Sequence, residues 1–348
     1  MLTYTELDCS ALFEVLANLK PFLIEALNRL FIGWKITMKK IAIIQESPYV
    51  LDKERTIKKA VEIINSVSAQ GAELIVFPEA FIPGYPAWIW RLRPGGDWGI
   101  CEELHVRLLK NSIDLSLDDL DPLLEAAKSN SVTVVCGINE RDNANSQSTI
   151  YNSALTISTQ GQIINHHRKL MPTNPERMVW GFGDGNGLNV IDTPVGRIGS
   201  LICWENYMPL ARYALYSQGV EIYIAPTYDS GDAWTGTMQH IAREGKCWVL
   251  SCGVALERKD LPVDFPNLDE LYPADDEWIN PGDSLVISPS GEIVSGPLSK
   301  QKGNIILDID VDLAASSKRA LDVAGHYSRP DVFSLQVNRS RQSPTHFK

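Results

Sequence analysis

Short apolar runs of strand character alternate with amphipathic helical patterns along most of this chain, and this alternation limits the possible folds. The strand-like runs 41–45 and 73–77 flank a helical pattern over 54–69. The same order returns further along the chain, at 222–225, 234–245 and 248–254. Strands that alternate with helices predict an α/β fold, with helices outside buried sheet.

Other segments add hairpins and one more helix to this pattern. Apolar runs on either side of turn residues predict hairpins at 150–168, 190–203 and 285–294. The segment 117–130 predicts a helix that opens after Ser116. No internal repeat and no linker divides the chain, so we expect a single domain over residues 38–335.

The two ends differ from this central part. Residues 1–37 contain an apolar stretch that charged residues interrupt and Pro21 breaks, which argues against a membrane span. Acidic residues occur early and no small-residue cleavage site follows, so a signal peptide is not expected either. We expect 1–37 to be an extension dispensable for the fold, with an amphipathic partner-binding helix as the alternative. Residues 336–348 are polar and predict a flexible tail.

Charge and cysteine usage exclude several classes of function. A formal net charge of -11 at pH 7 argues against nucleic acid or an anionic membrane as a partner. The six cysteines show no spacing typical of a disulfide framework. Reduced thiols in the cytoplasm are therefore expected. No cluster of metal-ligand residues stands out, and we predict neither a metal nor a cofactor.

Cys203 is the residue most indicative of chemistry. An apolar run of strand character ends at it, and Pro209 then introduces a helical pattern over 210–217. The thiol is expected at a strand-to-helix elbow, where the N–H groups of a helix start favour the thiolate. The commoner role of a free cysteine, that of a small buried apolar residue, is the alternative.

Two charged residues also stand at the ends of predicted strands. Glu79 comes directly after the run 72–77 and Pro78, and Lys169 ends the strand-like segment 162–168. Open α/β sheets place their ligands at the carboxyl ends of strands. Glu79 is therefore a candidate general base. Taken singly, each of these residues is more often a solvated surface group.

Glu, Lys and Cys in this order resemble the pattern of the nitrilase branch of the carbon–nitrogen hydrolase superfamily. Three segments around them carry the resemblance: Phe-Pro-Glu-Ala-Phe-Ile-Pro-Gly-Tyr-Pro (77–86), His-Arg-Lys-Leu-Met-Pro-Thr (167–173) and Cys-Trp-Glu-Asn-Tyr-Met-Pro-Leu (203–210). Two shorter ones agree with it, Ile-Ala-Pro-Thr (224–227) and His-Ile-Ala-Arg-Glu-Gly (240–245). The similarity runs from about residue 39 to residue 331.

The resemblance implies a four-layer α-β-β-α sandwich and an enzyme that hydrolyses nitriles to acid and ammonia. Cys203 would be the nucleophile, Glu79 the general base and Lys169 the group that stabilises the intermediates. Glu176 would be a second carboxylate near them, and its alternative is a solvated loop residue. The family also implies a homodimer or a larger spiral or filament, with a small nitrile and water as the other partners.

Aromatic residues near these motifs suggest a pocket suited to apolar nitriles. The candidates for substrate contact are Tyr85, Trp88, Trp180, Trp204 and Tyr207. The alternative interpretation of each tryptophan is that it belongs to the core or to an interface. An amidase or carbamoylase uses the same Glu-Lys-Cys set and is the competing function. A noncatalytic interaction module is a third hypothesis, opposed by the presence of all three residues.

Overall fold

The computed structural model describes residues 37–345, and its strands form two mixed sheets. The six-stranded sheet has the order β13-β1-β2-β3-β4-β5, and the seven-stranded sheet has the order β10-β11-β9-β8-β7-β6, with β12 paired to β11. The strands are β1 Met38–Gln45, β2 Leu74–Val76, β3 Thr133–Arg141, β4 Ile150–Ile157, β5 Ile163–Arg168, β6 Ile191–Thr193, β7 Gly196–Ser200, β8 Ile222–Thr227, β9 Trp248–Gly253, β10 Ala255–Glu257, β11 Trp278–Ile287, β12 Ile293–Ser299 and β13 Gly303–Asp310.

The helices follow the strands in the alternating order that the sequence predicts. The α-helices are α1 Lys53–Ser68, α2 Trp98–Asn111, α3 Asp121–Ser129, α4 Pro209–Tyr216, α5 Gly231–Gly245, α6 Leu268–Leu271 and α7 Asp312–Lys318. Short 3-10 turns join several of them. The centre of each sheet is parallel, β1-β2-β3 in one and β7-β8-β9 in the other, and the outer pairs are antiparallel.

The alternation of side chains along the central strands divides the core into three apolar layers. One face of the first sheet packs against α1 and α3 through residues such as Ala42 and Ile44. Its other face, with Ile41 and Ile43, packs directly on the second sheet. The outer face of the second sheet, with Tyr223, packs against α4 and α5. Helix, sheet, sheet and helix therefore form four layers, and the predicted α-β-β-α sandwich is confirmed.

Some elements differ from the sequence prediction. The helix expected over 117–130 begins later, because a 3-10 turn occupies Asp118–Leu120 and Pro122 stands in the first turn of α3. The sequence analysis did not predict α2 or β13. Helix α2 buries only Leu104 and Leu108, so its apolar stripe is too narrow to give a strong helical signal.

The ends of the chain are described unequally. The predicted extension 1–37 lies outside the described residues except for Thr37. In the predicted tail, the backbone N–H of Gln342 donates to Asp184 (2.9 Å) and the backbone carbonyl of Arg339 accepts from Asn186 (3.1 Å). Between residues 37 and 345, no helix is long and apolar enough to cross a membrane.

We expect Gly137→Ala to destabilise the protein, because β3 touches the segment that carries Glu79. A Cβ atom at Gly137 would lie 2.2 Å from the Pro78 carbonyl oxygen and 2.5 Å from the Ala80 nitrogen. Such overpacking costs about 1–3 kcal/mol. At Gly236, on the exposed surface of α5, a Cβ atom would meet nothing within 4 Å beyond the neighbouring residues of its own helix backbone. Gly236→Ala should therefore be neutral or stabilising by up to about 1 kcal/mol. Urea unfolding of both variants checks this, and equal midpoints would contradict it.

Candidate active site

Cys203 occupies a strained turn at the end of the β7 strand. Its backbone φ is +51°, in the left-handed region that a residue with a side chain rarely adopts. The side-chain amide of Asn206 holds this turn by donating to the carbonyl oxygens of Cys203 (2.6 Å) and Leu201 (3.0 Å). The Tyr223 hydroxyl in turn donates to Asn206 Oδ1 at 2.7 Å. The thiol is thus fixed in place and only 3% exposed.

The predicted elbow exists, but its effect on the thiol differs from the prediction. Cys203 opens a 3-10 turn, and α4 begins only at Pro209, so the thiol is not at an α-helix start. Burial raises the pKa of the Cys203 thiol, the charge of Glu79 raises it further, and the charge of Lys169 lowers it. The expectation that the helix start favours the thiolate is therefore wrong, and the thiol needs a base.

The other two predicted residues meet beside this thiol. Lys169 Nζ donates to Glu79 Oε1 at 2.8 Å and to Glu176 Oε2 at 2.7 Å, and all three side chains are buried. One carboxylate oxygen from each glutamate and the sulfur of Cys203 lie within 4.8 Å of one another. The structure brings together the four residues that the sequence proposes as catalytic.

Glu176 and Glu79 are each held by further hydrogen bonds. Glu176 accepts from the Tyr85 hydroxyl (2.7 Å) and from the Thr173 backbone N–H (2.7 Å), so it is not a solvated loop residue. Glu79 Oε1 accepts from the side-chain amide of Asn152 at 2.7 Å, while Glu79 Oε2 is buried with no hydrogen-bond partner among the described residues. That free oxygen is available to accept a proton.

Burial and the uneven charges of the cluster together set the proton affinity of Glu79. Burial raises the pKa of Glu79 to about 7, with the negative charge of Glu176 adding to the rise and Lys169 opposing it. Burial disfavours the ammonium of Lys169, but the charges of Glu79, Cys203 and Glu176 outweigh this and raise its pKa. A carboxylate with a pKa near 7 is well matched to general-base work at neutral pH.

Among residues 37–345, the group best placed to ligate a metal is the same one, Glu79, Glu176 and Cys203. The ammonium of Lys169 already supplies a positive charge to both carboxylates. A divalent ion would have to share that space with a like charge, which is unfavourable. The donor set therefore suits proton transfer better than metal binding.

Two buried polar residues beside the catalytic cluster were missed by the sequence analysis. Asn152 lies on β4, and its amide fixes Glu79 while its backbone carbonyl accepts from the Lys169 N–H at 2.8 Å. Glu205 is fully buried, and its carboxylate accepts from the backbone N–H groups of Ile202 and Leu170. A polar residue inside an apolar strand was a usable signal for Asn152. The contact of Glu205 with Ile202 is local, within the same 3-10 turn, whereas nothing local indicates its contact with Leu170.

A cleft of about 330 Å³ leads to Cys203. Its walls combine aromatic and apolar residues with polar ones: Tyr85, Trp90, Thr173, Glu176, Cys203, Trp204, Tyr228, Asp229, Ser230, Ile279, Asn280 and Pro281. A larger cavity of about 1080 Å³ lies between α4 and the segment 323–339, away from Cys203. The smaller cleft is the relevant one, because it contains the thiol and Glu176.

The five aromatic candidates for substrate contact are placed differently. Tyr85 and Trp204 line the cleft. Trp88 is buried in a neighbouring apolar cluster against Phe265, and Trp180 is buried with its indole N–H donated to Asn139; neither belongs to the cleft walls. Tyr207 also stands outside those walls and packs edge-on against Trp204.

Comparison with known proteins agrees with this geometry. Residues 40–319 match the family model described as carbon-nitrogen hydrolase. "Nitrilase 2" of Arabidopsis thaliana is 41% identical over 321 residues, covering 89% of this chain and 92% of the relative. "Aliphatic nitrilase" of Sinorhizobium fredii (strain HH103) is 38% identical over 309 residues, covering 88% of this chain and 98% of the relative. "Bifunctional nitrilase/nitrile hydratase NIT4B" of Nicotiana tabacum is 40% identical over 320 residues, covering 88% of each chain.

Solved structures support the same fold. The NitFhit protein of C. elegans superposes with a TM-score of 0.65 at 18% identity, over 89% of this chain and 70% of that one. Saccharomyces cerevisiae Nit3, described as a member of branch 10 of the nitrilase superfamily, gives 0.62 at 19% identity, over 84% and 97%. Fold, cluster and relatives together define a hydrolase of carbon–nitrogen bonds. The chain belongs to the carbon–nitrogen hydrolase family and, within it, to the nitrilases.

The pKa of Glu79 predicts how the rate depends on pH. A general base must be deprotonated, so kcat/KM should fall about tenfold per pH unit below about pH 7. In Glu176→Gln a negative charge that raises this pKa is lost, so the acid limb should move to lower pH even if the maximal rate drops. Rates measured between about pH 5 and 9, on both sides of the pKa of Glu79, would check this. An acid limb that stays in place would show that Glu79 is not the group titrating.

Proposed function

We propose that this enzyme hydrolyses organic nitriles to carboxylic acid and ammonia through a covalent intermediate on Cys203. The observation that carries the proposal is the buried cluster in which a thiol, a carboxylate with a pKa of about 7 and an ammonium meet at the bottom of a cleft. The names of the curated relatives point to the same substrate class.

The first step uses Cys203 and Glu79. Glu79 takes the thiol proton as the sulfur adds to the nitrile carbon, and the proton passes to the nitrogen, giving a thioimidate. The buried thiol is protonated at neutral pH, because its pKa is raised. A base within reach is therefore necessary, and the unpaired Oε2 of Glu79 is suited to this role.

The second step adds water and expels ammonia. Glu79 activates a water molecule that attacks the thioimidate carbon, and the resulting tetrahedral intermediate loses ammonia to leave a thioester. Lys169 stabilises negative charge that develops on the substrate nitrogen or oxygen, since its ammonium is fixed by two carboxylates before the reaction begins. A second water then releases the acid and restores the thiol.

The cleft favours compact substrates with an apolar group. Its aromatic walls at Tyr85, Trp90, Trp204 and Tyr228 would cover such a group, and the linear nitrile would reach the thiol at the inner end. The same tetrahedral intermediate could instead lose the sulfur and release an amide. The ratio of acid to amide therefore reports which bond of this intermediate breaks, and the proposed reaction breaks the bond to nitrogen.

The setting of the enzyme is also part of the proposal. Cys101, Cys136, Cys203, Cys247 and Cys252 are all free thiols, which supports a reducing compartment such as the cytoplasm. The family resemblance supports a homodimer or a larger spiral assembly. Residues 38–335 would form the catalytic domain and 1–37 a dispensable extension.

Parallel assays with a nitrile and its matching amide test this function against the amidase alternative. We expect ammonia and acid from the nitrile, with little free amide, because the intermediate stays bonded to Cys203 until ammonia has left. The amide should react far more slowly, since it must fit an additional oxygen beside Lys169 and Trp204. Cys203→Ala should lose both reactions. Rapid amide hydrolysis without nitrile hydrolysis would make the enzyme an amidase or carbamoylase.

A further inference from the structure

We propose that Glu205 is a positioning residue that holds the backbone of the nucleophile and the backbone of the lysine in one fixed geometry. The inference rests on the proposed function, because it concerns how Cys203 and Lys169 are brought to the same substrate. Glu205 hydrogen-bonds to neither the Cys203 sulfur nor the Lys169 ammonium, and it does not belong to the walls of the cleft. Its action is through the main chain on either side.

The carboxylate of Glu205 makes strong hydrogen bonds in two directions. Its Oε2 accepts from the backbone N–H of Ile202, and its Oε1 accepts from the backbone N–H of Leu170, both at 2.6 Å. The side chain is fully buried. Ile202 directly precedes Cys203, and Leu170 directly follows Lys169. One carboxylate therefore binds the chain next to both residues.

These two backbone segments come from different sheets. Leu170 follows β5, at the edge of the six-stranded sheet, and Ile202 follows β7 of the seven-stranded sheet. The backbone hydrogen bonds between strands lie within each sheet, so they do not join these two segments. The Glu205 carboxylate connects them at the point where the two proposed catalytic side chains begin. A shift of about 1 Å at such a point can cost about a hundredfold in rate.

A histidine completes the arrangement. His167 Nε2 lies 3.0 Å from Glu205 Oε2 and 3.1 Å from Oε1, and the ring is fully buried. Because an ionised carboxylate only accepts, the ring nitrogen donates. His167 lies on β5 two residues before Lys169, so this contact fixes the same strand end a second time.

The chemistry of this contact requires a carboxylate. Two backbone N–H groups converge on the two oxygens, and an amide has one acceptor oxygen and one NH2 group. In Glu205→Gln at least one N–H would face a donor and remain unsatisfied in a buried position. Glutamine and glutamate have almost the same volume. The substitution therefore removes the link between the two backbone segments and leaves the packing in place.

Glu140 offers a matched control in the same protein. It too is a buried carboxylate that binds a histidine of β5, with Oε2 2.6 Å from His166 Nε2, and it also binds Arg168 and Ser153. Its partners are side chains, whereas those of Glu205 include the backbone beside Cys203 and Lys169. Glu140→Gln should therefore perturb a buried charge without releasing either catalytic segment.

We expect Glu205→Gln to lower kcat for nitrile hydrolysis by about a hundredfold, with KM within about threefold of wild type. Glu140→Gln should keep kcat within about threefold of wild type, even if its melting temperature falls as much as that of Glu205→Gln. Equal losses of kcat in the two variants, at equal losses of stability, would reduce Glu205 to a structural residue and overturn the proposal. A raised KM with unchanged kcat would overturn it as well, since that is the effect of a substrate contact.

Alkylation of Cys203 by iodoacetamide gives a second readout that needs no nitrile. Displacement of Lys169 weakens a charge effect that lowers the pKa of the thiol. Alkylation at pH 7 should therefore be about tenfold slower in Glu205→Gln and unchanged in Glu140→Gln. If wild type did not hydrolyse nitriles, the proposed function would fail, but these alkylation rates would still decide the role of Glu205.

A shorter carboxylate covers the case in which Glu205→Gln does not fold. Glu205→Asp keeps the charge and two acceptor oxygens but must draw the two segments closer to reach both N–H groups. We expect a folded protein whose kcat is reduced about tenfold, less than in Glu205→Gln, because the aspartate carboxylate still forms part of the link between the two segments. A Glu205→Asp enzyme with the kcat of wild type would contradict the proposal.

Discussion

The rest of this site depends on two buried carboxylates sharing one ammonium. Lys169 lies 2.8 Å from Glu79 and 2.7 Å from Glu176, and burial makes it costly to leave either negative charge without a partner. Burial raises the pKa of Glu79 to about 7, and the charge of Glu176 adds to the rise, because one ammonium shared by two carboxylates does not offset both effects. The burial that makes the cluster costly therefore also makes Glu79 a base of suitable strength for a protonated thiol.

Much of the candidate site could be predicted from the sequence, because the ends of strands can be recognised there. Glu79 and Lys169 come after strands of the six-stranded sheet and Cys203 comes after a strand of the other sheet, and the carboxyl ends of strands are where α/β sheets place their ligands. The alternation of strands and helices predicted an α/β fold with helices outside buried sheet. The four-layer sandwich came from the family resemblance, and the structure confirms both. The role of Glu176 came from the resemblance alone, and the structure places it on Lys169.

The remaining features depend on contacts that no local pattern encodes. Glu205 bonds to Leu170, distant in sequence and in another sheet, and only the folded chain brings them together. Trp88 and Trp180 are of a residue type that often lines pockets, but both are buried in the core. The thiol pKa was mispredicted for a similar reason, since an elbow in the sequence does not show how deeply the residue after it will be buried.

Mass analysis of the enzyme during turnover tests the central claim most directly. A reaction with nitrile is quenched with acid, and the intact protein and its peptides are weighed. The account predicts a substrate-derived acyl or imidoyl adduct on the peptide that contains Cys203, present in wild type and absent in Cys203→Ala. An adduct on Cys101 or Cys252 instead, or full turnover by Cys203→Ala, would contradict it.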